Sequence, residues 1–180
     1  MTATGFALFP TALGECGIVW GPGGVLGLQL PEANAGEARR RLVRRFPEAR
    51  AVPLPPEIAA VTARVAALLG GEADDLATVA LDWSGVPDFE RKVYDAARAV
   101  PPGMTTTYGA IAIRIGSPGA ARAVGRALGQ NPFPIVVPCH RVLAADGKPG
   151  GFSAAGGVVT KLKMLAIENA ADPDGQRRLI

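Results

Sequence analysis

Cysteine and histidine are scarce in this chain of 180 residues, which contains two cysteines and one histidine. Two cysteines exclude a disulfide framework, and their small number favours a reducing, cytoplasmic location. The three residues are also too few for a structural zinc site, which usually takes four nitrogen or sulfur ligands, so we expect no metal.

Long apolar runs are missing as well. No segment reaches the roughly 18 apolar residues that a membrane-spanning helix needs, so we expect no membrane partner. The first ten residues, MTATGFALFP, lack the basic and apolar regions of a secretory signal. A hydrophobic content of 48% is nevertheless typical of a globular protein, and the length is sufficient for one large domain or two small ones.

Carboxylates are absent from the centre of the second half. Residues 1–85 carry 7 Lys and Arg against 9 Asp and Glu, a net charge of −2, whereas residues 86–180 carry 12 against 7, a net charge of +5. Residues 96–145 contain no Asp or Glu, and their cations are Arg98, Arg114, Arg122, Arg126 and Arg141. A positive surface of this kind favours a polyanionic partner, because binding releases condensed counterions. The alternative is a chance gap in the distribution of acids.

The first half has the pattern of a small α/β domain, which we place at residues 1–85. Apolar runs punctuated by Gly and Pro, FALFPTALGECGIVW and GGVLGLQL, predict strands of a hairpin or meander. GEARRRLVRRF predicts a helix with Leu42, Val43 and Phe46 inward and five arginines outward; these arginines form either a solvated face or a nucleic-acid contact. A second helix is predicted over 58–69, and LATVALDW has strand character.

The second half, residues 86–170, predicts a mostly helical domain. Asp88 can cap a first helix. A short helix over 108–115, a Gly-Ser turn and a second helix that begins at Pro118, with Ser117 as its N-cap and Gly129 at its C-terminal end, match a helix-turn-helix. We expect residues 171–180 to be a loosely held tail.

The second helix of this pair carries almost no bulky side chains apart from Arg122 and Arg126. Helices that read bases in the major groove usually carry several hydrogen-bonding side chains. A slim helix with arginines instead suits close approach to a narrow groove and insertion of a cation into the base stack. The alternative is a tightly packed Ala/Gly helix in an ordinary core.

The sequence Pro138-Cys139-His140-Arg141-Val142 places a thiol, the only imidazole and a cation side by side. Nearby cations favour the thiolate, which is the reactive form, and a histidine can accept its proton. Adjacent residues on a strand point to opposite faces, so a turn or a bridging water must intervene between the two side chains. Cys16 lacks such neighbours, and we interpret it as structural.

These features together resemble the O6-alkylguanine-DNA alkyltransferases. The pentapeptide is the family's active-site motif, and Ala121-Arg122-Ala123-Val124-Gly125 and Asn131-Pro132 stand at the family's spacing from it. The resemblance covers about residues 86–168 strongly. It implies an N-terminal α/β domain with a small, mostly antiparallel sheet, and a C-terminal, largely helical domain with a winged-helix-like helix-turn-helix.

The resemblance also implies a role for each matching residue. Cys139 would take the alkyl group, His140 would act on it through a water, and Glu168 would orient His140. Tyr108 would protonate the leaving base. Asn131 would brace the link between the second helix of the helix-turn-helix, which is the recognition helix, and the active site. Arg122 would fill the gap left by the flipped nucleotide. The implied DNA-binding positions are Thr107, Ala121, Arg122, Ala123, Gly125 and Arg126, and the implied pocket positions are Pro138, Val142, Phe152 and Ser153.

The implied partner is double-stranded DNA that contains O6-alkylguanine, approached from the minor groove with the damaged base flipped out. The implied reaction is irreversible and occurs once per molecule, and we expect no cofactor and a monomer. One departure from the family concerns the loop Phe152-Ser153-Ala154-Ala155-Gly156-Gly157, which has Phe where Tyr is common and two additional alanines. The alternatives are a non-reactive protein that recognises alkylated DNA, a Cys/His hydrolase, and a transcription regulator that uses the helix-turn-helix alone.

Overall fold

A four-stranded sheet forms from the first strands of the chain. The computed structural model describes residues 5–150 and 152–170. The sheet consists of β1 (Gly5–Thr11), β2 (Gly14–Gly21), β3 (Gly24–Gln29) and β4 (Arg50–Ala51), in the order β3-β2-β1-β4. Neighbouring strands among the first three are antiparallel, and β4 pairs with β1 in parallel. The predicted small, mostly antiparallel sheet is therefore confirmed.

Two helices accompany this sheet, α1 (Ala35–Arg45) and α2 (Pro56–Leu69). Asn34 caps α1, because its side chain accepts a hydrogen bond from the Glu37 amide at 2.9 Å. Leu42 is buried as predicted, whereas Val43 is 41% exposed and the prediction that it faces inward is wrong. LATVALDW forms no strand; its contact with the sheet is a single bridge from Leu81 to Val25.

The described part of the second half forms four further helices: α3 (Asp88–Arg98), α4 (Tyr108–Arg114), α5 (Ala121–Gly129) and α6 (Gly157–Ile167). Between them lie the short parallel pair β5 (Thr106–Thr107) and β6 (Val142–Leu143) and a 3-10 turn over Cys139–Arg141. Among the described residues, no helix combines the length and apolar character that crossing a membrane requires.

Helix α5 begins later than the sequence predicted. Its N-cap is Ala120 and its first residue Ala121, so the prediction of an N-cap at Ser117 followed by Pro118 is wrong. Ser117 instead accepts a turn hydrogen bond from the Ala120 amide at 3.0 Å. At the other end the helix continues through Gly129 to a cap at Gln130. Residues 115–120 therefore form a longer connection between α4 and α5 than the predicted Gly-Ser turn.

The chain divides into two compact units. The first comprises Met1–Gly85 and Pro132–Val136, and the second comprises Val86–Asn131 and Val137–Ile180. The short segment from Pro132 joins the first unit through a hydrogen bond from the Leu28 amide to its carbonyl at 2.9 Å, and Phe133 packs edge-on against Trp83 at 5.5 Å. The predicted tail, 171–180, lies outside the described residues.

Candidate active site

Cys139 lies in the 3-10 turn that follows Pro138 and leads into β6. Its amide donates a hydrogen bond to the Val137 carbonyl at 2.8 Å, and the residue is 8% exposed. This turn breaks the strand geometry between Cys139 and His140, which would otherwise direct the two side chains to opposite faces. Pairing of β6 with β5 then fixes the chain on the C-terminal side of the turn.

His140 is fully buried, and its partner is Glu168 at the C-terminal end of α6. His140 Nε2 lies 2.8 Å from Glu168 Oε1. A carboxylate at this distance keeps the imidazole proton on Nε2, so that Nδ1 carries the lone pair. Nδ1 is buried and has no hydrogen-bond partner among the described residues. Burial lowers the pKa of His140 despite Glu168, so the imidazole is neutral and able to accept a proton.

Arg141 binds the same carboxylate and is 1% exposed. Its Nε and Nη2 donate to Glu168 at 2.9 and 2.8 Å, and Nη1 donates to the Val100 carbonyl at 2.7 Å. Burial raises the pKa of Glu168, but the hydrogen bonds and charges of His140 and Arg141 bring it down to about 2. Arg141 therefore neutralises a buried carboxylate and is not part of the positive surface to which the sequence pattern assigned it.

The Cys139 thiol is close to two polar side chains, those of Asn131 and Lys161. Burial raises the pKa of Cys139, while a hydrogen bond from Asn131 and the charge of Lys161 oppose that rise. Asn131 also donates through Nδ2 to the Val137 carbonyl at 2.9 Å, which ties the end of α5 to the approach to the turn. The thiol is therefore protonated at rest and needs a base to become a nucleophile.

Lys161 is a site residue that the sequence reasoning missed. It is fully buried on α6, and Nζ donates to the Val142 carbonyl at 2.6 Å. The ammonium also lies 5.8 Å from the centre of the Tyr108 ring and 5.9 Å from that of Phe152. Burial lowers the pKa of Lys161 to about 8, against the opposing effect of Cys139. The sequence did contain a signal for Lys161. It lies seven residues before Glu168, which was already assigned to the site, and residues seven apart lie on the same face of a helix.

A small cavity lies directly over the thiol. It has a volume of about 20 Å³, and its lining residues are Tyr108, Gly125, Leu128, Gly129, Cys139, Phe152 and Ser153. That volume suffices for one water and not for a purine. Entry of a base therefore requires lining residues to move outward.

The loop that begins at Phe152 is fastened to α5 at this cavity. Ser153 Oγ donates to the Gly129 carbonyl at 2.8 Å. Tyr108 is half-buried, and burial raises its pKa, as does the neighbouring Cys139. Gly150 has a φ of +63°, and a Cβ there would lie 3.0 Å from the Tyr108 hydroxyl, so any larger residue would press on the phenol.

An open groove of about 800 Å³ lies outside the cavity, along α5. Its lining includes Ala121, Arg122, Gly125 and Arg126, together with Tyr108, Ala144, Phe152 and Ser153. Both arginines are exposed, one helical turn apart. Ala123 is half-buried and is not among the residues that line the groove. Thr107 caps α4, since its Oγ1 accepts from the Ala110 amide at 3.1 Å.

The structure thus brings together most of the residues that the sequence singled out. Cys139, Tyr108, Phe152 and Ser153 share the small cavity, while His140 and Glu168 form the buried pair beside it. Pro138 and Val142 are buried on either side of the turn. Within residues 5–150 and 152–170, no cluster of three or more His, Cys, Asp or Glu could hold a metal ion.

Comparison with known proteins identifies the family. Residues 88–170 match the family described as 6-O-methylguanine DNA methyltransferase, DNA binding domain. A methylated-DNA–protein-cysteine methyltransferase of Mycolicibacterium paratuberculosis is 44% identical over 119 residues, which cover 66% of this chain and 70% of that protein. The protein of the same name from Methanothermobacter thermautotrophicus is 33% identical over 157 residues, or 87% of this chain and 81% of its own.

Solved structures agree over almost the whole chain. The crystal structure of Mycobacterium tuberculosis OGT in complex with DNA superposes with a TM-score of 0.71 at 32% identity and covers 91% of each chain. The O6-methylguanine-DNA methyltransferase of Pyrococcus kodakaraensis superposes with a TM-score of 0.70 at 30% identity, covering 93% of this chain and 99% of that one. The chain belongs to the family of methylated-DNA–protein-cysteine methyltransferases.

Proposed function

We propose that this protein repairs DNA directly, by moving the alkyl group of O6-alkylguanine to the sulfur of Cys139. The observation that carries the proposal is the buried thiol at the floor of a cavity, next to a histidine whose Nε2 is held by Glu168 and whose Nδ1 is available. The similarity to methyltransferases over most of the chain supports the same reaction.

The chemistry is one displacement at an sp³ carbon. The Cys139 proton passes to Nδ1 of His140 through one water, and the thiolate attacks the alkyl carbon. A carbon–sulfur bond forms while the bond from that carbon to O6 breaks, and the electron pair stays with the guanine. Because His140 is neutral at physiological pH and Glu168 stabilises the imidazolium that results, the pair suits general base catalysis.

The departing guanine carries the electron pair and needs a proton. Tyr108 lines both the cavity and the outer groove, so its hydroxyl is suited to donate that proton. The proton on His140 can then return to Tyr108 by way of water, and the net products are an S-alkylcysteine and guanine in DNA. The thioether is not hydrolysed, so each molecule reacts once and needs no cofactor.

The restricted access to the Cys139 thiol supports a mechanism in which the damaged base is flipped out of the duplex. The cavity is closed to anything larger than a water, and a guanine within a duplex is stacked and paired, so both partners must open. Arg122 in the outer groove can enter the stack in place of the extruded nucleotide, and the small residues Ala121 and Gly125 permit close approach to the minor groove. Arg126 and Thr107 would contribute to the DNA contact beside them.

The unit that contains the thiol suffices for these roles. We therefore propose residues 86–170 as the DNA-binding and alkyl-accepting domain, and residues 1–85 as a separate N-terminal domain. We further propose that the protein acts as a monomer, in the cytoplasm, where a DNA-associated protein of this kind meets its substrate. These assignments imply one site for the damaged base and one reactive sulfur per chain.

The decisive experiment is mass spectrometry after incubation with duplex DNA that contains O6-methylguanine. We expect the mass of one methylene to be added to the peptide that contains Cys139, saturating at one per chain. Cys139→Ala should gain no mass while retaining affinity for the same duplex. Tight lesion binding without any mass gain in the wild-type protein would instead favour a non-reactive damage-recognition protein, and repeated turnover of small esters would favour a hydrolase.

A further inference from the structure

Helix α1 of the first unit carries a band of arginines that the proposed reaction does not use. The arginine face consists of Arg39, Arg40, Arg41, Arg44 and Arg45, all of them exposed. Ala38 and Leu42 are 1% exposed and pack into the core, on the side of the helix that faces away from Arg40 and Arg44. The helix is therefore anchored by its apolar side, and its arginines project into solvent.

Few acids neutralise this face. Arg41 donates to Glu32 at 2.7 Å. Arg40 is 4.0 Å from Glu37, but the two side chains are 72% and 46% exposed, and ion pairs of that kind contribute little. Arg44 has no ion pair among the described residues. The charges of Arg40 and Arg44 therefore remain available to an external anion.

Charge within the first unit is strongly segregated. Residues 35–50 contain six arginines and two glutamates, a net charge of +4. The remainder of residues 1–85 contains one arginine and seven acids, a net charge of −6. A unit whose total is only −2 therefore presents one concentrated positive surface, which attracts a polyanion despite the sign of the total.

Two guanidinium groups of the face lie over aromatic rings. Arg39 lies over the Phe6 ring at 5.4 Å, and Arg45 lies over the Phe46 ring at 5.2 Å. Stacking on a ring restricts the side chain and leaves its charge intact, so less conformational entropy is lost when the guanidinium binds an anion. The N–H donors of a guanidinium group match the geometry of phosphate oxygens well.

We propose that the arginine face is a second phosphate-binding surface, which contacts the backbone of double-stranded DNA independently of the groove along α5. DNA is the partner that the charge and the family membership favour together, and phosphate contacts need no base sequence or lesion. The proposal shares with the proposed function only that the chain binds DNA. It holds whether or not Cys139 accepts an alkyl group.

The test uses the full chain, an unmodified duplex of 24 base pairs and fluorescence anisotropy over a series of salt concentrations. Because the duplex carries no lesion, its result is independent of alkyl transfer. Replacing Arg40 and Arg44 by Gln removes two phosphate contacts, which should reduce the slope of log affinity against log salt by roughly 2. Between about 50 and 200 mM salt, the wild-type affinity should then fall about tenfold further than that of the variant.

Two matched variants control the result. Arg40→Lys with Arg44→Lys keeps both charges and should retain most of the wild-type slope. Lys92→Gln with Lys163→Gln removes two exposed charges from α3 and α6 and should reduce the slope less than the arginine pair. Because all four positions are exposed, circular dichroism and thermal unfolding should show intact folds.

Three outcomes would overturn the proposal. One is an unchanged slope in the glutamine variant of Arg40 and Arg44. The second is an equal reduction of the slope in the variant with Lys92→Gln and Lys163→Gln, since the effect would then reflect net charge alone. The third is an unchanged affinity for DNA together with a change in molecular mass by light scattering, which would make the arginine face a contact between copies of the chain.

Discussion

Glu168 holds His140 and Arg141 with one buried carboxylate, although it lies 28 and 27 residues further along the chain. Oε1 is 2.8 Å from His140 Nε2 and 2.8 Å from Arg141 Nη2, and Oε2 is 2.9 Å from Arg141 Nε. The end of α6 is thereby joined to the turn that carries Cys139. Through Arg141 and the Val100 carbonyl, the end of α3 is joined to it as well.

This arrangement makes stability depend on pH in a defined window. The folded pKa of Glu168 is about 2 against an ordinary 4.5, so the folded state favours the ionised form. The corresponding stability, roughly 3 kcal/mol, is fully present above pH 4.5 and is lost as the pH falls through 4.5 towards 2. Urea unfolding at pH 7, 4 and 2.5 should show this loss in the wild-type protein.

Glu168→Gln should remove that window and should be less stable at pH 7, because Arg141 is then buried without its counter-charge. Glu57→Gln on α2 removes an exposed carboxylate and serves as the matched control, with a pH dependence close to that of the wild type. If the Glu168 variant is too unstable to purify, the slope of wild-type stability between pH 4.5 and 2 still tests the prediction. A flat wild-type curve there would contradict it.

Lys161 should control the reactivity of the thiol. Its charge favours the Cys139 thiolate, so Lys161→Met should raise the pKa of Cys139 and slow transfer at pH 7 by about tenfold for each unit of that rise. Since Lys161 loses its proton near pH 8, the wild-type rate profile should show an inflection there that the variant lacks. Single-turnover rates between pH 6.5 and 9.5 measure both effects.

A purely structural role for Lys161 predicts a different result. If Lys161 acts on the thiol instead, Lys161→Met should have a free energy of unfolding within about 1.5 kcal/mol of the wild-type value, or above it. The reason is that Met has a similar volume and needs no buried counter-charge. A large loss of stability with an unchanged pH profile would assign Lys161 to folding rather than to reactivity.

The sequence indicated which residues share a cavity better than it indicated the helix ends. Cys139, Tyr108 and Ser153 are far apart in the chain yet line one cavity, as the resemblance to the family implied. The start of α5 was misplaced because Ser-Pro is a strong local signal for a helix start, whereas the chain uses Ser117 to close a turn before the helix begins. Local propensity competes there with tertiary packing, and the latter cannot be evaluated from a single sequence.

Burial was the other quantity that composition could not provide. A count of charged residues does not separate Lys161 and Arg141, which are 0% and 1% exposed, from exposed cations such as Lys163 and Arg126. A charged residue becomes buried only when a distant partner, here the Val142 carbonyl or Glu168, satisfies it. Such partners follow from the fold, so the electrostatics of the site could not be predicted before the fold was known.

Arg122 should matter for duplex DNA and not for a free base. If it fills the gap left by the flipped nucleotide, Arg122→Ala should slow transfer from O6-methylguanine in a duplex at saturating DNA, by tenfold or more, and leave the reaction with free O6-benzylguanine within about twofold of the wild type. Single-turnover assays on both substrates measure the ratio.

Arg126→Ala is the matched control, because the two arginines are exposed one turn apart in the same groove. Loss of Arg126 should weaken affinity for damaged and undamaged duplexes alike, with the rate recovered at higher DNA concentration. Equal behaviour of the two variants at saturating DNA would show that Arg122 acts only as a charge.

Ser153 should set how readily large groups reach Cys139. Its hydroxyl bond to the Gly129 carbonyl, at 2.8 Å, fastens the Phe152–Gly157 loop over a cavity of about 20 Å³. Ser153→Ala removes a hydrogen bond with a net value of about 1 kcal/mol and should raise the rate with O6-benzylguanine relative to O6-methylguanine by about fivefold. Thr160→Val removes a different bond of the same loop, to the Ala155 carbonyl at 2.7 Å, and should leave that ratio unchanged. A ratio that stays constant in both variants, or shifts equally in both, would mean that the link to α5 does not limit entry to the pocket.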